Sequence, residues 1–142
     1  MPNNKRRLCI ITANYYTFRG FISPWYGRLL NDFDVTVIGN FDENLVELES
    51  DYPQFNFKTV KIEVKPSAVS DFVNVFILIK ILLRLKFDCL YTMMPKSGFL
   101  GQLAGRICGI PVRLHIFTGQ SWSRLSGNKR RFYKFFDKLI VY

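Results

Sequence analysis

The feature that most constrains this chain is a repeated alternation of short, unbroken apolar runs with longer segments of helical character. Leu8-Cys9-Ile10-Ile11, Val35-Thr36-Val37-Ile38, Asp88 to Thr92 and Val112 to Phe117 read as strands. In the first two the apolar run is continuous, not alternating, which marks a strand covered on both faces. Phe57 to Val64 alternates apolar with polar residues and reads as a half-exposed strand. Helices are predicted over about Pro24 to Leu30, where Ser23 precedes a proline suited to the first helical position, and over residues 43–49, 67–86, 98–108 and 128–136. Asn14 to Gly20 reads as a loop, and Leu139 to Tyr142 as the opening of another strand. Parallel neighbours need a crossover connection, so this order predicts an α/β fold, an open parallel sheet with helices on both faces. A length of 142 residues suits one domain. A strand opening at the last residue leads us to expect more chain downstream.

Hydrophobic residues make up 49% and charged residues 22%, a globular balance. The formal charge is +9, and from Arg106 onward eight Lys or Arg face one acid, Asp137. Such a field attracts phosphates of nucleic acid, lipid headgroups or a diphosphate-linked substrate. No nucleic-acid module or aromatic platform accompanies the charge, so nucleic acid is not expected as a partner. Cys9, Cys89 and Cys108 are odd in number and unclustered, which predicts free thiols in a reducing cytoplasm.

Eleven apolar residues lie between Phe72 and Leu85, but Lys80 and Arg84 interrupt them, and the segment is shorter than the roughly 20 residues of a membrane span. A core helix is the favoured reading; an apolar face with a basic edge, touching the inner leaflet, is the alternative.

In an open parallel sheet ligands sit beyond the carboxyl ends of the strands. The loops there are Ala13 to Gly20, Met93 to Gly98 and Thr118 to Trp122. Lys96-Ser97-Gly98 fits a phosphate at a helix start, or equally a helix cap made by Ser97. No Gly-x-Gly-x-x-Gly or Walker loop follows the first strand, which disfavours a dinucleotide cofactor or ATP hydrolysis. Asp32 and Asp34 precede their strand and so fall at the wrong edge for a metal pair. His115, inside a strand, lacks a nucleophile and an orienting group for a triad.

The run from Asp88 to Val112, carrying Pro95-Lys96-Ser97-Gly98, Gly101, Arg106, Gly109 and Pro111, resembles the family 4 glycosyltransferases of the GT-B fold. In those enzymes a "Pro-Lys-Ala-Gly, Leu-Gly, then Ala, Arg, Gly, Val-Pro" string joins the fourth and fifth strands of a Rossmann-like N-terminal domain. Phe18-Arg19-Gly20-Phe21 is similar to their first-loop Phe-Arg-x-Phe. Ile116 to Gln120 with Trp122 is similar to their fifth-strand loop, and Asp137 to Val141 to the entry of their sixth strand.

The resemblance implies transfer of a hexosyl group from a nucleotide-diphospho-sugar to a lipid-linked or saccharide acceptor, in capsule, O-antigen or exopolysaccharide assembly. It implies that the N-terminal half receives the acceptor while a C-terminal half binds the nucleotide and carries a Glu-x₇-Glu pair. That second half is absent from the sequence, so the chain is expected to be inactive alone. The nucleotide sugar would be held by a missing domain or a partner chain. The alternative is an acceptor-binding, membrane-anchoring subunit of a split two-chain enzyme. No metal and no cofactor beyond the sugar-nucleotide substrate is implied. Acceptor-side or cleft-lining roles carry over to Arg19, Gly20, Lys96, Ser97, Gly98, Thr118, Gly119 and Gln120. Where many relatives place a histidine in the fifth-strand loop, Thr118 and Gln120 stand here, and Arg19-Gly20 replaces a double glycine. Arg124, Lys129, Arg130, Arg131 and Lys134 resemble residues that face the membrane in such enzymes, on the cytoplasmic side; a solvated basic helix is the other reading.

Overall fold

Five strands, β1 (Arg6–Asn14), β2 (Phe33–Asn40), β3 (Asn56–Thr59), β4 (Cys89–Met93) and β5 (Val112–Ile116), form one sheet in the order β3-β2-β1-β4-β5. All four pairings are parallel. This is a computed structural model, and it describes residues 5–63, 67–119 and 122–141. The chain builds outward from β1 to β2 and β3, then crosses back to place β4 on the other side of β1. The reversal puts a topological switch point, the usual ligand crevice of such sheets, between the carboxyl ends of β1 and β4.

Helices α1 (Tyr15–Phe21), α2 (Tyr26–Asp32) and α3 (Leu45–Asp51) belong to the outward leg. Helices α4 (Ala68–Leu85), α5 (Pro95–Ile107) and α6 (Gly127–Val141) belong to the return leg. Each set has its own core. On the first side Phe18, fully buried, makes edge-to-face contacts with Phe41, Tyr52, Phe55 and Phe57. Aromatic pairs of this geometry add about 0.5–1.5 kcal/mol each beyond the area they bury. On the second side Leu78 and Leu82 of α4 and Leu100 and Ala104 of α5 pack with Cys9, Ile11, Ile38 and Leu90 of the sheet.

Helix α5 lies very close to the strands, and three glycines allow it. A Cβ on Gly101 would stand 2.9 Å from the Thr92 methyl and 3.0 Å from Ile11. A Cβ on Gly98 would overlap the His115 ring, and one on Gly105 would overlap Leu90, which is fully buried and cannot swing aside. Glycines at 98, 101 and 105 share one helical face. The spacing that resembles the family string is thus a packing seam.

The α/β class, the parallel sheet and helices on both sides are all present. Several boundaries differ. Asn14 to Gly20, expected as a loop, is mostly helix α1, because the Asn14 side chain caps it by accepting from the Thr17 N–H at 3.1 Å and Phe18 anchors it. The expected helix from Pro24 splits into a 3₁₀ turn at Ser23–Trp25 and α2, since nothing caps the join. The third strand ends at Thr59 and does not run on; Val64 lies outside the described residues. Helix α5 starts at Pro95, three residues earlier than expected, with Met94 turning at φ 68°. Leu139 to Val141, expected as strand, continue helix α6, while Tyr142 lies outside the described residues. Finally, α4 is no simple core helix, because half of its circumference is exposed.

Gly105→Ala is expected to lower unfolding free energy by about 1–3 kcal/mol through overpacking against Leu90. Gly27→Ala, on α2 where nothing lies within 4 Å of a new Cβ, is expected to be neutral or stabilising. Urea unfolding of both variants measures the contrast.

Candidate functional site at the carboxyl edge of the sheet

The carboxyl ends of β1, β4 and β5 gather Asn14, the Met93–Gly98 segment and the residues after Ile116 at one edge. Met94 carries a left-handed backbone and Pro95 follows it at the first helical position, so the chain turns sharply from β4 into α5. The first-turn amides of α5 therefore face this edge, where the helix dipole favours an anion.

Lys96 sits on that first turn and pairs with Asp71 of α4 at 2.7 Å, both side chains being largely covered. Asp71 also accepts from the Ser67 N–H at 3.3 Å. Ser97 is buried and turned inward, donating to the Met93 carbonyl at 2.6 Å. Its hydroxyl is therefore neither a cap nor free for a ligand. Gly98 lies under the His115 ring. Thr118 is exposed and donates to the Met94 sulfur at 3.1 Å, which ties the loop after β5 to the turn after β4. Gly119 is exposed beside it, and Gln120 lies outside the described residues. The structure thus brings Lys96, Ser97, Gly98, Thr118 and Gly119 to one place.

Arg19 and Gly20 go elsewhere. The Arg19 guanidinium donates to Asp51 at 2.9 Å and to the Tyr52 hydroxyl at 2.8 Å, and it lies 5.7 Å from the ring centres of Tyr15 and Tyr52. Tyr15 in turn donates to Glu47 at 2.5 Å. Arg19 therefore clamps α1 to the end of α3 and is committed to partners there. Gly20, within α1, has open space around it.

A buried polar relay beneath the edge escaped the sequence reading. Gln102 of α5 donates to Thr92 Oγ1 and to the Leu114 carbonyl, each at 2.9 Å, and Thr92 Oγ1 lies 2.8 Å from His115 Nδ1. The only sequence signal was a glutamine inside an otherwise small and apolar helix face. His115 Nε2 is buried without a hydrogen-bond partner among the described residues. Burial lowers the His115 pKa from its ordinary value, with Asp137 partly opposing. Cys9 is wholly buried, which drives its thiol pKa far up and leaves it unreactive.

Of the basic residues expected at a membrane, Arg124, Lys129, Arg130, Arg131 and Lys134 are all exposed. Arg130 and Lys134 lie over the Trp122 ring at 5.5 and 4.4 Å, and the Trp122 N–H donates to Asp137 at 2.6 Å. This cluster pins the segment after β5 onto α6. Asp32 and Asp34 sit at the amino end of β2, opposite the loops.

A 3-2-1-4-5 parallel sheet with loops converging at its switch point defines a Rossmann-like α/β domain. The chain matches the family described as "Glycosyl transferase 4-like" over residues 8–140, and it belongs to that family. It is 29% identical over 97 residues to the Escherichia coli UDP-Gal:alpha-D-GlcNAc-diphosphoundecaprenol alpha-1,3-galactosyltransferase, covering 63% of this chain and 25% of that enzyme. Its fold is similar to Acinetobacter baumannii MurG, with TM-score 0.59 and 18% identity, covering 78% of this chain and 33% of that one. It is similar too to the Neisseria meningitidis UDP-GlcNAc 2-epimerase, with TM-score 0.64 and 16% identity over 94% of this chain and 38% of that one. The chain thus spans about a quarter of the curated relative. Both likenesses are of fold.

The neutral His115 ring is the form the fold favours, so its contribution to stability is complete above the ordinary histidine pKa and is lost as pH falls through the lowered one. Between about pH 7 and 5 the Tm of the native chain should fall more steeply than that of His115→Gln, as thermal unfolding will measure.

Proposed function

We propose that this chain is the acceptor-side domain of a glycosyltransferase that moves a hexosyl group from a nucleotide-diphospho-sugar to a lipid-linked saccharide in surface polysaccharide assembly. The observation that carries the reading is the family match across residues 8–140, joined to a relative named for galactosyl transfer onto a diphosphoundecaprenol-linked sugar. The switch-point edge supports it chemically. The α5 amino end offers its first-turn amides to the acceptor's diphosphate, and Lys96, held beside them by Asp71, would bind that group by exchanging its carboxylate partner for it. Thr118 and Gly119 line the same cleft from the β5 side; for Gln120 the acceptor-side role rests on the family resemblance alone. Ser97 and Gly98 take part through backbone, the one offering its amide and the other the close approach of helix to sheet. Arg19 acts from further out, by clamping α1 to the end of α3, and the open space around Gly20 gives that glycine no comparable part.

Departure of the nucleoside diphosphate needs charge stabilisation, which commonly supplies more of the rate acceleration than any other single effect. In this reading it comes from a donor-binding half outside this sequence, and the isolated chain is inactive. A second reading has that half on a separate chain. The exposed apolar Val112, Leu114 and Ile116 of β5 offer a surface to further protein on either connectivity.

Radiolabelled sugar transfer is the test, comparing this chain with a version extended to full two-domain length. Transfer by the extended form alone supports the proposal, whereas activity of the short chain overturns the half-enzyme reading and inactivity of both overturns the transferase reading. Restored activity on adding a separately encoded donor domain selects the two-chain form. In the active form Lys96→Ala should raise the acceptor KM about tenfold, the loss expected for one charged hydrogen bond, with little change in donor KM.

A further inference from the structure

We propose that Asp71 is an internal competitor for the ligand of the switch-point edge: its carboxylate holds Lys96 in an autoinhibitory contact that a diphosphate must displace. The inference rests on the reading of this edge as the place of the acceptor's diphosphate, and deepens it by naming the residue that sets how tightly that group is held.

Asp71 stands in the first turn of α4 and Lys96 in the first turn of α5, so the pair joins the starts of two helices distant in sequence. Nζ and Oδ1 lie 2.7 Å apart, with 18% of the lysine and 24% of the aspartate side chain exposed. Opposite charges this close and this well covered are screened little by water and salt. A ligand anion therefore has to take the lysine from a partner already in place.

The pair is built to open. Oδ1 is buried and makes no hydrogen bond among the described residues, so the contact with Lys96 lacks the directional bond that strengthens a covered ion pair. Oδ2 accepts from the Ser67 N–H at 3.3 Å, and the amino end of α4 favours a negative charge at this position. Withdrawal of the lysine thus leaves Asp71 with a second host, not as a bare buried charge. Lys96, for its part, is a point charge on a flexible four-carbon stem, which can turn to a phosphate without a fixed geometry.

Charge distribution singles out the same residue. Residues 1–67 contain eight Lys or Arg and eight Asp or Glu, so the formal charge of +9 lies wholly in residues 68–142, where twelve cations meet three acids. Asp88 accepts from the Arg7 N–H at the opposite edge of the sheet, and Asp137 from the Trp122 N–H. Asp71 is the one acid of residues 68–142 whose described contacts reach the switch-point edge. A carboxylate placed against the lysine of a cationic region opposes any polyanion that arrives there. Its removal should raise affinity, whereas loss of a merely structural ion pair would lower it.

Isothermal titration calorimetry with inorganic pyrophosphate at low salt tests this. Asp71→Asn, which keeps an acceptor for the Ser67 N–H, should bind at least about tenfold tighter than the native chain, as expected when one competing charged contact is removed. Asp71→Ser repeats the test with a smaller neutral acceptor. Lys96→Ala should bind more weakly than the native chain, and Asp71→Asn/Lys96→Ala no tighter than Lys96→Ala, because the gain passes through the lysine. Asp88→Asn, which removes the same charge at the far edge, should change affinity by less than about twofold. A short prenyl diphosphate should show the same gain as pyrophosphate; a gain confined to UDP would assign the corner to the donor and overturn the proposal. Circular dichroism checks that the variants remain folded. Equal affinity of the native chain and both neutral Asp71 variants would also overturn it, as would a gain that persists in the double variant, or no measurable binding by any form. Because no sugar transfer is measured, failure here beside transfer by the extended chain leaves the transferase reading intact, and failure of transfer beside this gain leaves a gated diphosphate site without that reaction.

Discussion

The close approach of α5 to the sheet is the contact on which the rest depends. Gly98, Gly101 and Gly105 let that helix settle against β1, β4 and β5 at a distance no side chain permits. Dispersion forces fall steeply with separation, so this proximity is what makes Leu90, Ile11 and Ala104 an effective core. It also fixes where α5 begins. With the helix held low on the sheet, its amino end, Lys96 and the Met94 turn are pinned at the switch point.

The same seam governs the polar chemistry below the edge. Only because residue 98 has no side chain can the His115 ring lie against the helix where its Nδ1 reaches Thr92. Gln102, one turn on, completes the relay by binding both Thr92 and the Leu114 carbonyl. Buried polar groups are tolerated when they are mutually satisfied, and here they lock β4, β5 and α5 in one register. The loop after β5 inherits that rigidity through Thr118 and Met94.

Charge and shape divide the molecule into two unlike sides. The outward leg carries eight of the eleven acids, three of them on α3, with Arg19 consumed in bridging α1 to Asp51 and Tyr52. The return leg carries all the net charge and, on α4, an exposed apolar stripe. The switch-point edge lies where these sides meet, so a ligand with an anionic group and an apolar tail would meet both features in one orientation.

The α/β class, four of the strands, helix α4 and the importance of the Pro95 to Gly105 string were legible in the sequence, because buried parallel strands need unbroken apolar runs and long helices need length. Helix α1 was not, since a single asparagine cap and one buried phenylalanine outweigh weak local propensity. Nor was the inward turn of Ser97, or the commitment of Arg19, because a side chain's partners are chosen by elements distant in sequence. By itself the sequence determined which segments must be buried and where the charge lies along the chain. Only the tertiary structure decided which half of α4 the sheet covers, since both halves are apolar and periodicity cannot rank two equal faces. It likewise decided that the family-like glycines serve packing, because what a missing Cβ makes room for depends on what lies opposite.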